Sequence, residues 1–229
     1  LATHEYTDGT IAPEGYRHLQ SFRLEGVIPV WTWTIGEALL EQRVWMAHGA
    51  NTTYVSYRLL RGPAALELEL QPLCSSRDYH WQLRGSRDAE VHALEQGFEV
   101  IAQPGARPYR VLLEGARYAI DPQWHWNVRH REEAARGLDD AEDLFRPAVV
   151  TARLVPGESA TVILTAESHA PLPAAESLIR EQRRQMELLQ SAGRANAALA
   201  RPAPDWVRQL VLAADQFIVD RQDMQGKTL

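Results

Sequence analysis

The sequence predicts a mainly β protein, an antiparallel sandwich followed by C-terminal α-helices, and three observations carry that prediction. Between Val30 and Thr165, short β-prone runs alternate with clusters of Gly, Pro and Asn. Within ALELELQPL, Leu66, Leu68 and Leu70 alternate with Glu67 and Glu69, the period of two that turns leucine to a core and carboxylate to water. After Pro173 the hydrophobic period lengthens to that of a helix. Many short strands separated by turn signals suggest two packed sheets.

Taken in order, the strand runs are VWTWTI at 30–35, TTYVSYRLL at 52–60, the alternating leucines at 66–70, YRVLLEG at 109–115, PAVVTARLV at 147–155 and SATVILTA at 159–166. HGAN, RGP, QPGARP and VPGES break the chain between them. Leu178, Ile179, Met186 and Leu189 then fall on one helical face, with Arg180, Glu181, Arg184 and Glu187 off it, which predicts an amphipathic linker helix over 171–198. After the breaker RPAPD, Pro204 and Asp205 suit a helix start, and Trp206, Leu210, Ala213, Ala214 and Phe217 form an apolar stripe. That stripe is expected either to meet a further domain or to dock back onto the sandwich. The chain begins at Leu1 rather than Met and ends in GKTL directly after this run, so a longer parent protein is expected. The expected division is a sandwich over 1–166, a linker helix region over 167–203 and the start of another domain over 204–229.

The formal charge of −6 and a single lysine, Lys227, leave no clustered cations to neutralise phosphates, which argues against nucleic acid as a partner. Cys74 is the sole cysteine, so an internal disulfide is excluded and a reducing cytoplasm is the expected compartment. No apolar run approaches the ~20 residues of a membrane helix, and no basic region followed by an apolar stretch opens the chain. No membrane partner is expected.

Two segments hold candidate chemistry. In CSSRDYHW, Arg77, Asp78, Tyr79 and His80 place a guanidinium fork, a carboxylate, an aromatic face and an imidazole within four positions, a set suited to sugar hydroxyls. The same residues also read as a strand-end turn with an Arg–Asp pair. Cys74 beside them reads as a small core residue rather than a nucleophile. The histidines show no metal-ligand spacing, and there is no phosphate-cradling glycine loop and no GxSxG elbow, so no metal, no cofactor and no catalytic residue is assigned.

The second segment is WHWNVRHREEAARGLDDAEDLFRPA, from Trp124 to Ala148. In an extended segment Trp124 and Trp126 share a face and can offer a paired aromatic surface to the C–H faces of sugars, with Asn127 beside them; equally, both indoles can be buried. Glu132 and Arg136 are spaced as a helical ion pair, and Gly137 sits where a short helix would stop. Asp139, Asp140, Glu142 and Asp143 make an acidic patch that is either solvated or structural.

The pattern W-x-W-N-x-x-H-x-x-E-x-x-R-G-x-D-x-x-E-D-L-x-x-P, from Trp124 through His130, Glu133, Gly137 and Asp143 to Pro147, resembles the N-terminal domain of bacterial and archaeal glycogen debranching enzymes. So do YTDGTIAPEGYRHLQSFRLEGVIPVW, LEQRVWMAHGANTTYVSYRLL, PLCSSRDYH and the closing LVLAADQFIVDRQDMQGKTL, in the same order. The resemblance implies a β-supersandwich, a linker helix and then an α/α barrel, of which the helix from Pro204 would be the first. It implies that the barrel hydrolyses α-1,6-glucosidic branches of glycogen with its own pair of carboxyl groups, leaving this chain non-catalytic. The expected partners are glycogen or a branched α-glucan and the chain's own barrel. Arg77, Asp78, His80, Trp124, Trp126 and Asn127 are the expected sugar contacts. An autonomous carbohydrate-binding module and a purely structural domain are the alternative readings, and exposure of the two tryptophans separates them.

Overall fold

Turns of two and of five residues set up the first half of the fold. A small pair, β1 (His4–Glu5) and β2 (Ile11–Ala12), precedes a 3-10 turn at Gly15–His18. Four strands then run up and down: β3 (Leu19–Glu25), β4 (Ile28–Ile35), β5 (Ala38–Met46) and β6 (Thr52–Arg61). Gly26 and Gly36 open the turns at either end of β4 with φ of 63° and 58°, a conformation that side-chain-bearing residues resist and tight hairpins require. The rest of the chain adds β7 (Leu66–Leu70), β8 (Glu90–Leu94), β9 (Gly97–Ile101), β10 (Tyr109–Glu114), β11 (Arg117–Arg129), α1 (Arg131–Ala135), β12 (Ala141–Leu154), β13 (Ser159–Thr165), α2 (Ala174–Ala195) and α3 (Asp205–Asp215). The computed structural model describes residues 1–62, 64–78, 81–85, 88–196 and 204–218.

The strands form an eight-stranded antiparallel sheet, in the order β3-β4-β5-β6-β13-β10-β9-β8, and a three-stranded sheet, β11-β12-β7. The two sheets share their cores. Trp33, Leu40, Leu59 and Ala160 of the large sheet meet Leu68, Ala152 and Leu154 of the small one, and Phe98, Val100, Val111 and Val162 meet Phe145, Ala148 and Val150. Each large apolar side chain so enclosed contributes about 1.5–3 kcal/mol. The sandwich expected from the alternating runs is thus present. Leu66, Leu68 and Leu70 turn inward while Glu67 and Glu69 stay exposed. Strands β3, β5, β8 and β9 were not marked by those runs, because charged residues interrupt them. In β3 and β5 the charges close on one another: Arg23 binds Glu25 and Glu41, and Arg43 binds the same two carboxylates. Burial would raise the Glu41 carboxyl, but the two arginines outweigh it and hold the group below its ordinary range.

The far face of the large sheet receives α2. Ile28, Val30, Trp45, Tyr54 and Ile163 pack there with Ala174 and Leu178. Trp45 lies flat on Tyr54, with ring centroids 5.0 Å apart, and its Nε1 donates to Ser177 Oγ at 3.1 Å, while Tyr54 Oη donates to the Leu172 carbonyl at 2.9 Å. Further along, the Val27 amide donates to Gln185 Oε1, and Gln185 Nε2 donates to Glu181. The helix therefore buries Ser177, Glu181 and Gln185, whereas Ile179 and Met186 are exposed. This corrects the expected apolar face. The sheet offers donors here as well as hydrocarbon, and the helix turns acceptors toward them. Arg184 then reaches Asp215 of α3 at 2.6 Å while also holding Glu181 at 2.9 Å, and Leu212 of α3 is buried. Trp206, Leu210 and Phe217 of the α3 stripe are exposed. Among the described residues no helix is long and apolar enough to cross a membrane.

Candidate functional site

The segment that opens with the two tryptophans begins as a strand, for Trp124 to Asn127 lie in β11, paired with β12. Alternation puts the two indoles on one face, where their rings stack at 5.5 Å between centroids and 26° between planes. Trp124 rests against Phe145 at 5.2 Å and is half-buried, whereas Trp126 is 54% exposed. The pair thus has an anchored member and a presented one. Immediately after it the register of β11 slips, and Asn127 takes φ of 59°, a left-handed conformation that asparagine tolerates better than bulkier residues. Its amide donates to Asp143 Oδ1 at 2.9 Å, and its carbonyl accepts from the Thr7 amide at 3.1 Å.

Beyond β11 the chain makes the short helix α1. Gly137, with φ of 72°, ends it: the Gly137 amide donates to Ala134 O and the Leu138 amide to Glu133 O, each at 3.0 Å, which satisfies two carbonyls that the helix end leaves open. The expected Glu132–Arg136 pair is not formed between side chains. Arg136 instead binds the Glu133 carboxylate at 2.6 Å and the Glu132 backbone carbonyl at 3.1 Å. On so short a helix with a tight C-terminal turn, the residue three positions back is the nearer partner.

The acidic patch divides in two. Asp139 is exposed, but Glu142, at 2% exposure, and Asp143 are buried at the start of β12. Glu142 accepts from Arg77 through Nε and Nη2, from His130 Nε2 at 2.8 Å and from the Leu83 amide at 3.3 Å. Burial alone would raise its carboxyl; the donors from Arg77, His130 and Leu83 outweigh that and hold it below the usual glutamate range. Asp143 accepts from the Gly85 amide at 2.9 Å as well as from Asn127, and its own amide donates to Leu83 O at 2.8 Å. Two adjacent carboxylates thereby tie three pieces of chain together: the 77–85 segment, the end of β11 and the start of α1. Arg77, expected to meet Asp78 or a sugar, has its fork on Glu142 and donates by Nη1 to the Asp78 backbone carbonyl. Asp78 stands beside it at the turn, and His80 lies outside the described residues.

The tie has a visible effect on Trp126. The Gly85 backbone lies so close to its six-membered ring that a Cβ built on Gly85 would fall 2.3 Å from Cζ3. Along the same segment Trp81 is 73% exposed, and Arg84 forms an exposed pair with Asp139 at 3.3 Å. Neither Trp81 nor Arg84 stood out in the sequence, since only the fold places their segment beside Trp126. Cys74 bridges Phe145 through both backbone bonds and is buried, which raises its thiol and fits a core residue.

A cleft of about 470 Å³ opens between the sheets and the N-terminal segment, lined by Tyr57, Leu68, Leu70 and Val162 together with His4 and His125. Burial, and for His4 the nearness of His125, lowers both imidazoles below the ordinary histidine value. Among the described residues that line the cleft, Glu69 is the one carboxylate. Compared with known families, residues 1–161 match the family model described as "Glycogen debranching enzyme N terminal". No curated protein matches the chain.

Proposed function

Because the chain belongs to the glycogen debranching enzyme N-terminal family, we propose that it is the non-catalytic N-terminal domain of a debranching enzyme, one that supports a glycoside hydrolase barrel and lends the Trp124–Trp126 face to the glucan site. On this reading residues 1–166 are the supporting sandwich, 167–203 the linker region and 204–229 the start of the barrel. The parent hydrolyses α-1,6-glucosidic branch linkages of glycogen in the cytoplasm. The observation that carries the reading is the half-exposed Trp126, held by the Glu142–Asp143 tie on a strand whose neighbour Trp124 is anchored in the core. An aromatic surface fixed in this way can receive a sugar face with little ordering cost.

The chemistry of the buried carboxylates supports a holding role. Glycoside cleavage needs one carboxylic acid that keeps its proton and a second carboxylate that activates water or attacks carbon. Glu142 is held ionised by its donors and has no proton to give near neutral pH. We expect no turnover of a branched limit dextrin by this chain alone. In the full-length enzyme, Trp126→Ala should lower kcat/KM by an amount corresponding to ~1–3 kcal/mol, the scale of one aromatic contact, with the melting temperature unchanged. Loss of stability with kcat/KM intact would mean that the indole only packs.

One observation favours a second reading. The tryptophans lie on the small sheet, while α2 packs on the opposite face of the large one. A carbohydrate-binding surface remote from catalysis fits that separation. Trp126→Ala would then weaken attachment to polymeric glycogen and leave kcat/KM for a small branched oligosaccharide unchanged.

A further inference from the structure

Trp81 and Trp126 come from distant parts of the sequence, yet both are exposed and both belong to segments fastened to the same two buried carboxylates. Gly85 touches the Trp126 ring, and three residues lie between Gly85 and Trp81, so their Cα atoms are at most about 14 Å apart. Two exposed indoles on backbone held this near each other can contact different rings of one sugar chain. Arg84 and Asp139, paired and exposed on the same surface, add a guanidinium and a carboxylate that can donate to and accept from ring hydroxyls. The Trp81 segment is also held in place: Gln82 Nε2 donates to Asp139 O at 3.1 Å, and Leu83 is bonded through both its amide and its carbonyl. An exposed indole on a tethered backbone loses less freedom on binding than one on a loose loop.

We propose that Trp81 and Trp126 form a two-point aromatic platform for successive rings of a linear α-glucan chain, with the Arg84–Asp139 pair gripping hydroxyls beside them. This rests on the reading of the Trp126 face as a glucan contact and extends it from one ring to a run of rings. Trp81 is a specificity determinant for chain length, and it acts by binding alone.

The test is titration of the chain with glucose and with maltoheptaose, followed by calorimetry and tryptophan fluorescence, for the wild type, Trp81→Ala and Trp126→Ala. The wild type should bind the heptasaccharide more tightly than the monosaccharide. Trp81→Ala should weaken heptasaccharide binding on the order of tenfold, the equivalent of one aromatic contact, while binding of the single ring of glucose and the melting temperature stay as they were. Arg84→Ala should weaken both sugars. If Trp126→Ala weakens binding and Trp81→Ala does not, the platform is overturned and the single-ring contact stands. If neither substitution weakens binding, or the wild-type chain binds no heptasaccharide, both readings fall. Equal affinity for a β-1,4-linked heptasaccharide would overturn the assignment to α-glucan.

Discussion

Replacing Glu142 by glutamine removes one charge from the best-enclosed carboxylate of the site and leaves its shape almost unchanged. The wild-type group is 2% exposed and accepts from Arg77, His130 and the Leu83 amide. Glutamine keeps one acceptor oxygen and turns an NH2 toward groups that are themselves donors. Breaking a buried ion pair costs about 3–5 kcal/mol, and because Arg77 is partly exposed and can recover water, the lower end, about 3 kcal/mol, applies. For a domain of this size that is a fall of about 6–12 °C in melting temperature. The pH dependence has a definite sign. Glu142 is depressed below the ordinary glutamate value, so its ionised form stabilises the folded chain above that value and the contribution is lost as pH falls through the depressed one. Glutamine has no such titration. The stability gap between the two proteins should therefore be full above about pH 5 and close progressively in acid. Urea denaturation of both at neutral pH and at successively lower pH measures it. A gap that is equally wide at all pH values, or below about 1 kcal/mol at neutral pH, would refute the assignment of Glu142 as the charged anchor.

Asn127→Gly should be nearly neutral in urea melts and Asn127→Val should cost ~1–2 kcal/mol, because the bonds described there are made by the backbone amide and carbonyl and φ is positive. Gly85→Ala should drive Trp126 from its seat, seen as a change in tryptophan fluorescence, at a stability cost of about 1–3 kcal/mol. Gly26→Ala should break the Gln185 bond to the Val27 amide, since the new Cβ would fall 1.8 Å from Gln185 Oε1; faster hydrogen exchange at Val27 reports it. Arg184→Ala should release α3, lowering exchange protection over Asp205–Asp215, and should also loosen α2, because the buried Glu181 loses its guanidinium partner.

The sandwich was legible where one face of a strand is wet, as in β7, whose Leu–Glu alternation survives intact in the fold. It was not legible in β5, where Glu41 and Arg43 sit on the covered face and are matched by residues of β3, a compensation that exists only after the strands pair. The shared face of Trp124 and Trp126 followed from their spacing, and of the acidic patch the buried half, Glu142 and Asp143, ties segments of the chain together. What the sequence concealed was the partner. Arg77 and Glu142 are 65 positions apart, so local spacing suggested Asp78 instead. Trp81 was invisible as a companion of Trp126 for the same reason.

The way α2 is fastened has a consequence for position. Ser177, Glu181 and Gln185 recur at four-residue steps, and the outer two answer fixed donors on the sheet, the Trp45 indole and the Val27 amide. Slid by one turn, about 5.4 Å, in one direction, the helix would set Leu189 against the Val27 amide; in the other it would set Pro173 against the indole. Either slip strands a donor, at about 1–3 kcal/mol, where a purely greasy interface would let the helix creep. The teeth of this ratchet admit a single notch, and through Arg184 and Asp215 the same notch sets where α3 stands.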